Sequence, residues 1–208
     1  EGPQDVRAGA ANLEKQIDNI RAHGIAPVVA INAFPGDFLS EHEVIREIAE
    51  AAGARVALCT HVRDGGAGAT ELAEAVAEAA AEPSSFRFLY PDELPLADKI
   101  ERIARTIYGA DGVAFSNDAR RQIDTYQEQG YGDLPVCIAK THLSLSADAS
   151  RQGAPTGWTL PVHEVRLSAG AGFVYALCGE IRTMPGLGTD PAAAHMDIDD
   201  NDEVVGLF

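Results

Sequence analysis

The first part of the chain alternates between helical and strand-like hydrophobic patterns. Apolar residues recur at helical spacing between Ala10 and Ile20, and Gly24 follows at a position where helix ends favour glycine. The next run, residues 25–31, is apolar on both faces. Such a run is typical of a central strand in a parallel sheet, because helices cover that strand on both sides. We therefore predict a helix and then a buried strand that ends at Asn32.

The same succession is repeated further along the chain. Ser40 and Glu43 fit a capping box, in which each side chain accepts a hydrogen bond from the other residue's backbone N–H. The predicted elements are a helix from Ser40 to Gly53, a strand over residues 55–59, a Gly-rich loop over 60–68 and a helix over 70–81. Strands and helices in this alternating order predict parallel strands, since crossover connections are right-handed.

A Pro-Ser-Ser segment at residues 83–85 is typical of a domain boundary. Beyond it, the pattern predicts helices within residues 94–130 and a strand-rich region over 134–208. The expected strands are residues 135–139, 159–167 and 173–178. The predicted fold is α/β, with a parallel sheet and flanking helices in residues 1–82 and a smaller α+β domain in residues 83–208.

The charge of the chain excludes several classes of partner. Its formal net charge is −16, and it contains only three lysines, Lys15, Lys99 and Lys140. Nucleic acids and anionic membranes repel such a chain, so we expect neither as a partner. No apolar run approaches the roughly 20 residues of a membrane helix, and residues 1–5 lack the features of a signal peptide. These observations predict a cytoplasmic protein.

The three cysteines indicate neither a disulfide framework nor a zinc site. Cys59, Cys137 and Cys178 are widely spaced, and no Cys-x-x-Cys pair occurs. Each lies within an apolar, strand-like run, where a free thiol behaves as a small hydrophobic group. We expect three buried thiols.

Polar and aromatic residues follow directly at the end of the first predicted strand. Asn32, Phe34 and Asp37 bring an amide, a flat ring and a carboxylate together within six residues. Ligands of open α/β sheets bind beyond the carboxyl ends of the strands. The segment therefore predicts the mouth of a ligand site, and an ordinary strand-to-helix connection is the alternative. A guanine-binding loop fits poorly, because Asp37 stands five residues after Asn32 with no lysine between them.

The sequence contains no phosphate-binding loop of the Gly-Lys-Ser/Thr type, since no lysine follows a glycine. Gly65 and Gly66 precede the helix predicted over 70–81, and a Gly-rich loop in this position is a weak signal for an anion site. A flexible connector is the alternative interpretation. His61 is the one histidine placed for chemistry, although its position in the loop favours a solvated residue.

Several longer motifs occur in a fixed order along the whole chain. They are residues 12–17 (NLEKQI), 30–35 (AINAFP), 64–68 (DGGAG), 107–113 (IYGADGV), 130–136 (GYGDLPV), 139–141 (AKT), 165–172 (VRLSAGAG), 183–187 (TMPGL) and 206–208 (GLF). Together they resemble the formate–tetrahydrofolate ligase family, and this chain is similar to the C-terminal two-fifths of its members. The resemblance implies a sheet like that of P-loop NTPases, with the P-loop itself in the missing N-terminal part.

The resemblance also implies a reaction and its ligands. Members of the family join formate to N10 of tetrahydrofolate with ATP and Mg, by way of formyl phosphate, and a monovalent cation such as potassium or ammonium assists them. The expected partners are therefore tetrahydrofolate, formate, ATP and further copies of the chain, by resemblance in a tetramer. Without its P-loop, the chain is not expected to be active alone. A non-catalytic folate-binding or oligomer-capping module derived from the ligase is the alternative.

At single positions the resemblance implies roles for three residues: Phe34 matches the aromatic residue stacked on the folate pterin, Val62 lies on the other side of the pterin, and Leu58 lies near the monovalent cation. The other expected site residues follow from their positions, with Asn32 at the strand end for substrate and Gly65 and Gly66 in the Gly-rich loop for nucleotide. Val62 departs from the family pattern, which has a tryptophan as the other side of the pterin sandwich. An aliphatic wall in its place predicts weaker folate binding, and no catalytic residue is assigned.

Overall fold

The computed structural model describes residues 2–179, 194–199 and 204–206. The motif at 183–187 and the final residues 207–208 lie outside this part. The helices are α1 (Pro3–Ala22), α2 (Leu39–Ala51), α3 (His61–Asp64), α4 (Thr70–Ala81), α5 (Leu96–Thr106) and α6 (Asn117–Glu128), with a 3₁₀ helix at Gly65–Ala69. The strands are β1 (Val28–Asn32), β2 (Arg55–Cys59), β3 (Gly112–Phe115), β4 (Val136–Ala139), β5 (Thr159–Val162), β6 (Glu164–Ser168), β7 (Phe173–Leu177), β8 (Asp197–Ile198) and β9 (Val204–Val205).

The first two strands form the parallel pair that the sequence predicts. Residues 28–32 of β1 pair in register with residues 55–59 of β2, so that Asn32 lies opposite Cys59. Helix α1 packs against α2, and α4 packs against β2. A small buried cluster in this part of the chain consists of Ile17, Ala49 and Ala54. The order strand, helix, strand, helix is therefore confirmed. The expected burial of the whole first strand is wrong: within β1 only Ile31 is buried, since β2 is the one strand paired with it among the described residues.

A larger buried cluster lies in the second part of the chain. Strand β3 pairs in parallel with β5, while β7 lies between β4, which is parallel to it, and β6, which is antiparallel. The cluster includes residues from α5, α6 and four of these strands, among them Leu96, Ile123, Leu160, Val165 and Val174. This part of the chain therefore combines mixed strand directions with two helices, while its separation into a domain over residues 83–208 stays a prediction.

Two expectations about strands are wrong. Residues 112–115 form β3, although the sequence pattern placed them in a helical region, because four residues are too few to show a period. The run 159–167 is two strands, not one. It divides at His163, whose N–H donates to the Leu177 carbonyl, so that β5 joins one sheet and β6 joins another.

The starts of two local elements also differ from the predictions. Helix α2 begins at Leu39 after the extended residue Phe38, two residues before the capping box would begin it. Ser40 therefore lies in the first turn and is not the N-cap. Residues 60–68, predicted as a loop, are mostly helical, since they contain α3 and most of the 3₁₀ helix.

Two of the three thiols are buried as predicted. Cys59 and Cys178 are buried, and burial raises the pKa of the Cys178 thiol to about 12. Cys137 is exposed, which contradicts the prediction. It lies on β4, the outer strand of its sheet, and follows the buried Val136. Because side chains alternate between the two faces of a strand, burial of Val136 directs Cys137 outward.

Candidate functional site

The carboxyl ends of β1 and β2 meet at one edge of their sheet. Asn32 pairs with Cys59, and the N–H of Ala33 donates to the Cys59 carbonyl at 2.9 Å. The segments that carry Phe34 and Val62 therefore leave the sheet side by side. Both side chains are about half exposed, Phe34 at 50% and Val62 at 53%. The chain thus presents a ring and an aliphatic group at the edge where ligands of parallel sheets bind.

A compact turn holds the backbone at Phe34. Its N–H donates to Oδ2 of Asp37 at 2.8 Å, and the Asp37 N–H donates to the Phe34 carbonyl at 3.1 Å. Nε2 of His42 lies 3.2 Å from the same carboxylate oxygen. The bond from the Phe34 backbone, followed by the bond from His42, lowers the pKa of Asp37. The sequence pattern placed Asp37 at this edge but contained no signal that His42 reaches it.

A second turn holds the segment that carries Val62. The Thr60 N–H donates to the Gly68 carbonyl at 2.9 Å, and the Thr60 hydroxyl donates to Asp64 at 2.7 Å. A Cβ at Gly68 would lie only 2.6 Å from the Thr60 hydroxyl oxygen, so this close approach requires glycine. The guanidinium of Arg63, together with the Thr60 hydroxyl, lowers the pKa of Asp64 to about 2.

Gly65 and Gly66 lie at the start of the 3₁₀ helix, next to open space. Gly65 has a φ of +60°, which L side chains rarely adopt, and it ends α3. A Cβ at either glycine would meet nothing within 4 Å. The backbone at these two positions is therefore accessible to a ligand. At Gly68, in the same motif, Thr60 fills the space beside the backbone.

Cys59 and His61 form a further contact at this edge. The Cys59 Sγ lies 3.1 Å from Nδ1 of His61. Cys59 is buried, and the exposed His61 directly precedes Val62. The contact ties the imidazole to the carboxyl end of β2.

The described residues give little support for a metal held by side chains. They contain no group of three His, Cys, Asp or Glu residues arranged to hold an ion. Leu58, the position expected near a monovalent cation, is half-buried on β2 opposite Ile31. Its side chain offers no ligand, so only its backbone carbonyl could contribute one.

All three lysines have structural roles. Lys15 donates to the Thr106 carbonyl at 2.6 Å, Lys99 donates to the Gly132 carbonyl at 2.7 Å, and Lys140 donates to the Ser146 carbonyl at 3.0 Å. Burial lowers the pKa of each of them. Each of the three ammonium groups thus has a backbone carbonyl partner within the chain.

The edge is an open surface. Four cavities of about 310 to 650 Å³ within the described part of the chain are lined by other residues. The smallest lies between α1 and the segment after β4, next to Lys140 and Tyr108. The residues predicted for substrate thus line a wall and not a closed pocket.

No helix among the described residues combines the length and apolar character needed to cross a membrane.

Parallel strands with an exposed ring and two turns at their carboxyl edge define an α/β protein. Comparison with protein families makes the assignment specific. The family model for formate–tetrahydrofolate ligase matches residues 1–208. The chain belongs to the formate–tetrahydrofolate ligase family, as the motifs indicated.

Individual relatives agree with this assignment. The chain is 63% identical over 207 residues to a formate–tetrahydrofolate ligase of Saccharopolyspora erythraea. It is 55% identical over 217 residues to formate–tetrahydrofolate ligase 3 of Rubrobacter xylanophilus, and 52% identical over 208 residues to a formate–tetrahydrofolate ligase of Cutibacterium acnes. Each match covers the whole of this chain but only 37–38% of the relative. The chain therefore spans little more than a third of the length of these relatives.

Proposed function

We propose that this chain is the C-terminal part of an ATP-dependent formate–tetrahydrofolate ligase, and that the β1–β2 edge is its folate-facing wall. The half-exposed ring of Phe34 at that edge is the observation that carries the proposal. In the complete enzyme, residues 1–82 belong to a larger sheet like that of P-loop NTPases, and residues 83–208 form the C-terminal domain. Family membership and the partial coverage of the relatives support this arrangement.

Stacking explains why a ring is needed at this position. The pterin of tetrahydrofolate is flat and partly apolar, and an aromatic pair contributes about 0.5–1.5 kcal/mol beyond the burial of its area. Phe34 faces one side of the pterin in this proposal, and Val62 closes the other side with an aliphatic surface. Asn32, exposed at the end of β1, offers both a donor and an acceptor to the polar edge of the heterocycle.

The reaction proposed for the complete enzyme has two steps. A formate oxygen attacks the γ-phosphorus of ATP, ADP leaves, and formyl phosphate results. N10 of tetrahydrofolate then attacks the formyl carbon and phosphate leaves. The first step depends on positioning and on neutralisation of charge. Because the three lysines of this chain donate to carbonyl groups, we assign that neutralisation to the rest of the polypeptide.

The remaining site residues have supporting roles in the proposal. The open backbone at Gly65 and Gly66 lies where the nucleotide approaches, and the Leu58 carbonyl is one ligand of a monovalent cation such as potassium or ammonium. The described residues do not fit a magnesium site, so Mg enters with ATP on the rest of the polypeptide, and no step is assigned to it here. The partners are tetrahydrofolate, formate, ATP and further copies of the chain in a cytoplasmic homo-oligomer, a tetramer by resemblance.

Substitution of Phe34 in the complete ligase polypeptide tests the proposal. Phe34→Ala should raise the KM for tetrahydrofolate about threefold to tenfold and leave the KM for ATP within about twofold, because only the pterin loses a contact. Phe86→Ala is the matched control, since Phe86 is equally exposed, at 51%, but lies in the segment that follows α4. An unchanged KM for tetrahydrofolate in Phe34→Ala, or an equal rise in Phe86→Ala, would overturn the proposal.

A second experiment separates the ligase from a non-catalytic module. The 208-residue chain alone should form no product from formate, ATP and tetrahydrofolate, and the complete polypeptide should form it. If the complete polypeptide binds tetrahydrofolate but forms no 10-formyl product, the chain is instead part of a folate-binding module. Replacement of the family tryptophan by Val62 is the observation that favours this second candidate.

A further inference from the structure

We infer that Asp37 is a positioning residue for folate binding, and that His42 supports it by orienting its carboxylate. The inference rests on the proposed role of Phe34 as the pterin-stacking ring. Neither side chain is proposed to touch the pterin. Asp37 acts through the backbone of Phe34, and His42 acts through Asp37.

The hydrogen bonds between Phe34 and Asp37 run in both directions. The Phe34 N–H donates to the Asp37 carboxylate at 2.8 Å, and the Asp37 N–H donates to the Phe34 carbonyl at 3.1 Å. Both polar groups of the Phe34 backbone are therefore tied to one residue. This fixes the peptide units on both sides of the Phe34 Cα, and with them the direction in which its side chain leaves the backbone.

Helix α2 anchors the turn between Phe34 and Asp37 through His42. The His42 ring is largely buried, with its side chain 14% exposed, and its Nε2 lies 3.2 Å from Oδ2 of Asp37. An ionised carboxylate only accepts hydrogen bonds, so Nε2 carries the hydrogen and donates it. Nδ1 of the ring is buried without a partner among the described residues, so the Asp37 carboxylate is the polar group that orients the imidazole. Val44 and Ile48 hold the helix itself against the rest of the protein.

Phe34 depends on this turn because little else holds it. Half of its surface is exposed, and no aromatic ring among the described residues packs against it. A ring that samples several directions must be ordered when the ligand binds, and the entropy lost in this ordering weakens affinity. The turn orders the backbone beforehand. Its loss should therefore weaken tetrahydrofolate binding while the chemistry of bound substrate proceeds at its normal rate.

The test is a double-substitution cycle in the complete ligase polypeptide, with KM for tetrahydrofolate, KM for ATP and kcat measured for each variant. Asp37→Ala should raise the KM for tetrahydrofolate about threefold and leave the other two constants within about twofold. Asp37→Asn should restore a value near that of the wild type, because an amide oxygen still accepts both hydrogen bonds. In a Phe34→Ala background, Asp37→Ala should have no further effect.

A variant of His42 and a control variant of Asp148 complete the experiment. His42→Ala should raise the KM for tetrahydrofolate less than Asp37→Ala does, and it should add nothing in the Asp37→Ala background. Asp148→Ala is the matched control, since the Asp148 carboxylate also accepts from a backbone N–H nearby in the chain, that of Ser150 at 2.9 Å. This control should leave all three constants unchanged.

The cycle distinguishes failure of the inference from failure of the proposed function. If Phe34→Ala does not change the KM for tetrahydrofolate, the proposed role of the ring is wrong. If Phe34→Ala raises it but Asp37→Ala does not, the inference alone is wrong. An equal effect of Asp37→Ala with and without the ring would also overturn the inference, since Asp37 would then act independently of Phe34. A loss of kcat in Asp37→Asn would show instead that the carboxylate itself takes part in the reaction.

Discussion

The ammonium group of Lys99 donates a hydrogen bond of 2.7 Å to the backbone carbonyl of Gly132, and the Lys99 side chain is completely buried. A second bond of 3.0 Å goes to the Leu134 carbonyl, and the Tyr90 ring lies 5.7 Å from the same nitrogen. Burial lowers the pKa of Lys99, an effect that nearby carboxylates oppose. The residue thus joins α5 to the segment that leads into β4.

Removal of this ammonium group should destabilise the protein. Lys99→Met leaves two carbonyl groups without their donor, and an unsatisfied buried polar group costs about 1–3 kcal/mol, so we expect a loss of about 2–4 kcal/mol in the free energy of unfolding. Lys15→Met is the control, since Lys15 also donates to a carbonyl but is only partly buried. Its cost should be about 1 kcal/mol. Urea denaturation followed by circular dichroism measures both, and equal costs would contradict the structural role of Lys99.

Restoration of an aromatic residue at position 62 should strengthen folate binding. Val62→Trp gives the pterin a second ring to stack on, so the KM for tetrahydrofolate of the complete enzyme should fall about twofold to tenfold. Val76→Trp on α4 is the matched control, because Val76 is 49% exposed and Val62 is 53% exposed. Steady-state kinetics checks both variants. A KM that stays constant or rises in Val62→Trp would show that position 62 does not face the pterin.

Acid should weaken the turn that carries Val62. The pKa of Asp64 is about 2 in the folded chain, below its ordinary value of 3.8, because Arg63 and Thr60 donate hydrogen bonds to the carboxylate. The unfolded chain therefore takes up this proton first as the pH falls. The stabilisation from Asp64 is complete well above pH 3.8 and is lost as the pH falls from there towards 2.

The stability of Asp64→Asn relative to the wild type tests this dependence. The difference in the free energy of unfolding should be constant near neutral pH and should shrink below pH 3.8. Thr60→Val removes one donor, so it should raise the pKa of Asp64 in an NMR titration. A stability difference that persists unchanged to pH 2 would contradict the assigned hydrogen bonds.

The sequence pattern was sufficient for the elements with a long or continuous hydrophobic signal. The apolar run before Asn32 and the helical stripe from Leu96 both predicted the observed elements, because each pattern continues over a whole strand or over several helical turns, although within β1 only Ile31 is buried. Strand β3 has four residues, and its assignment depends on pairing with β5, which lies more than 40 residues away. A local pattern contains no information about such a partner. The exposure of Cys137 was missed because its apolar run does not show which face of β4 is buried, and the packing of Val136 into the core decides it.

The candidate site was only partly accessible to sequence reasoning. Asn32, Phe34 and Asp37 could be placed together because they follow one strand end, and the structure brings Phe34 and Asp37 into direct contact. The participation of His42 depends on where α2 begins, and the sequence suggested a start two residues later. The contact of Gly68 with Thr60 depends on the helical path of residues 61–69, where a loop was predicted.

A structure of the complete enzyme with tetrahydrofolate bound is the most direct test of the folate-facing wall. We expect the pterin to lie parallel to the Phe34 ring, with Val62 on its opposite face and the Asp37 turn unchanged. Pterin bound elsewhere, with the Phe34 ring packed against aliphatic side chains, would contradict it.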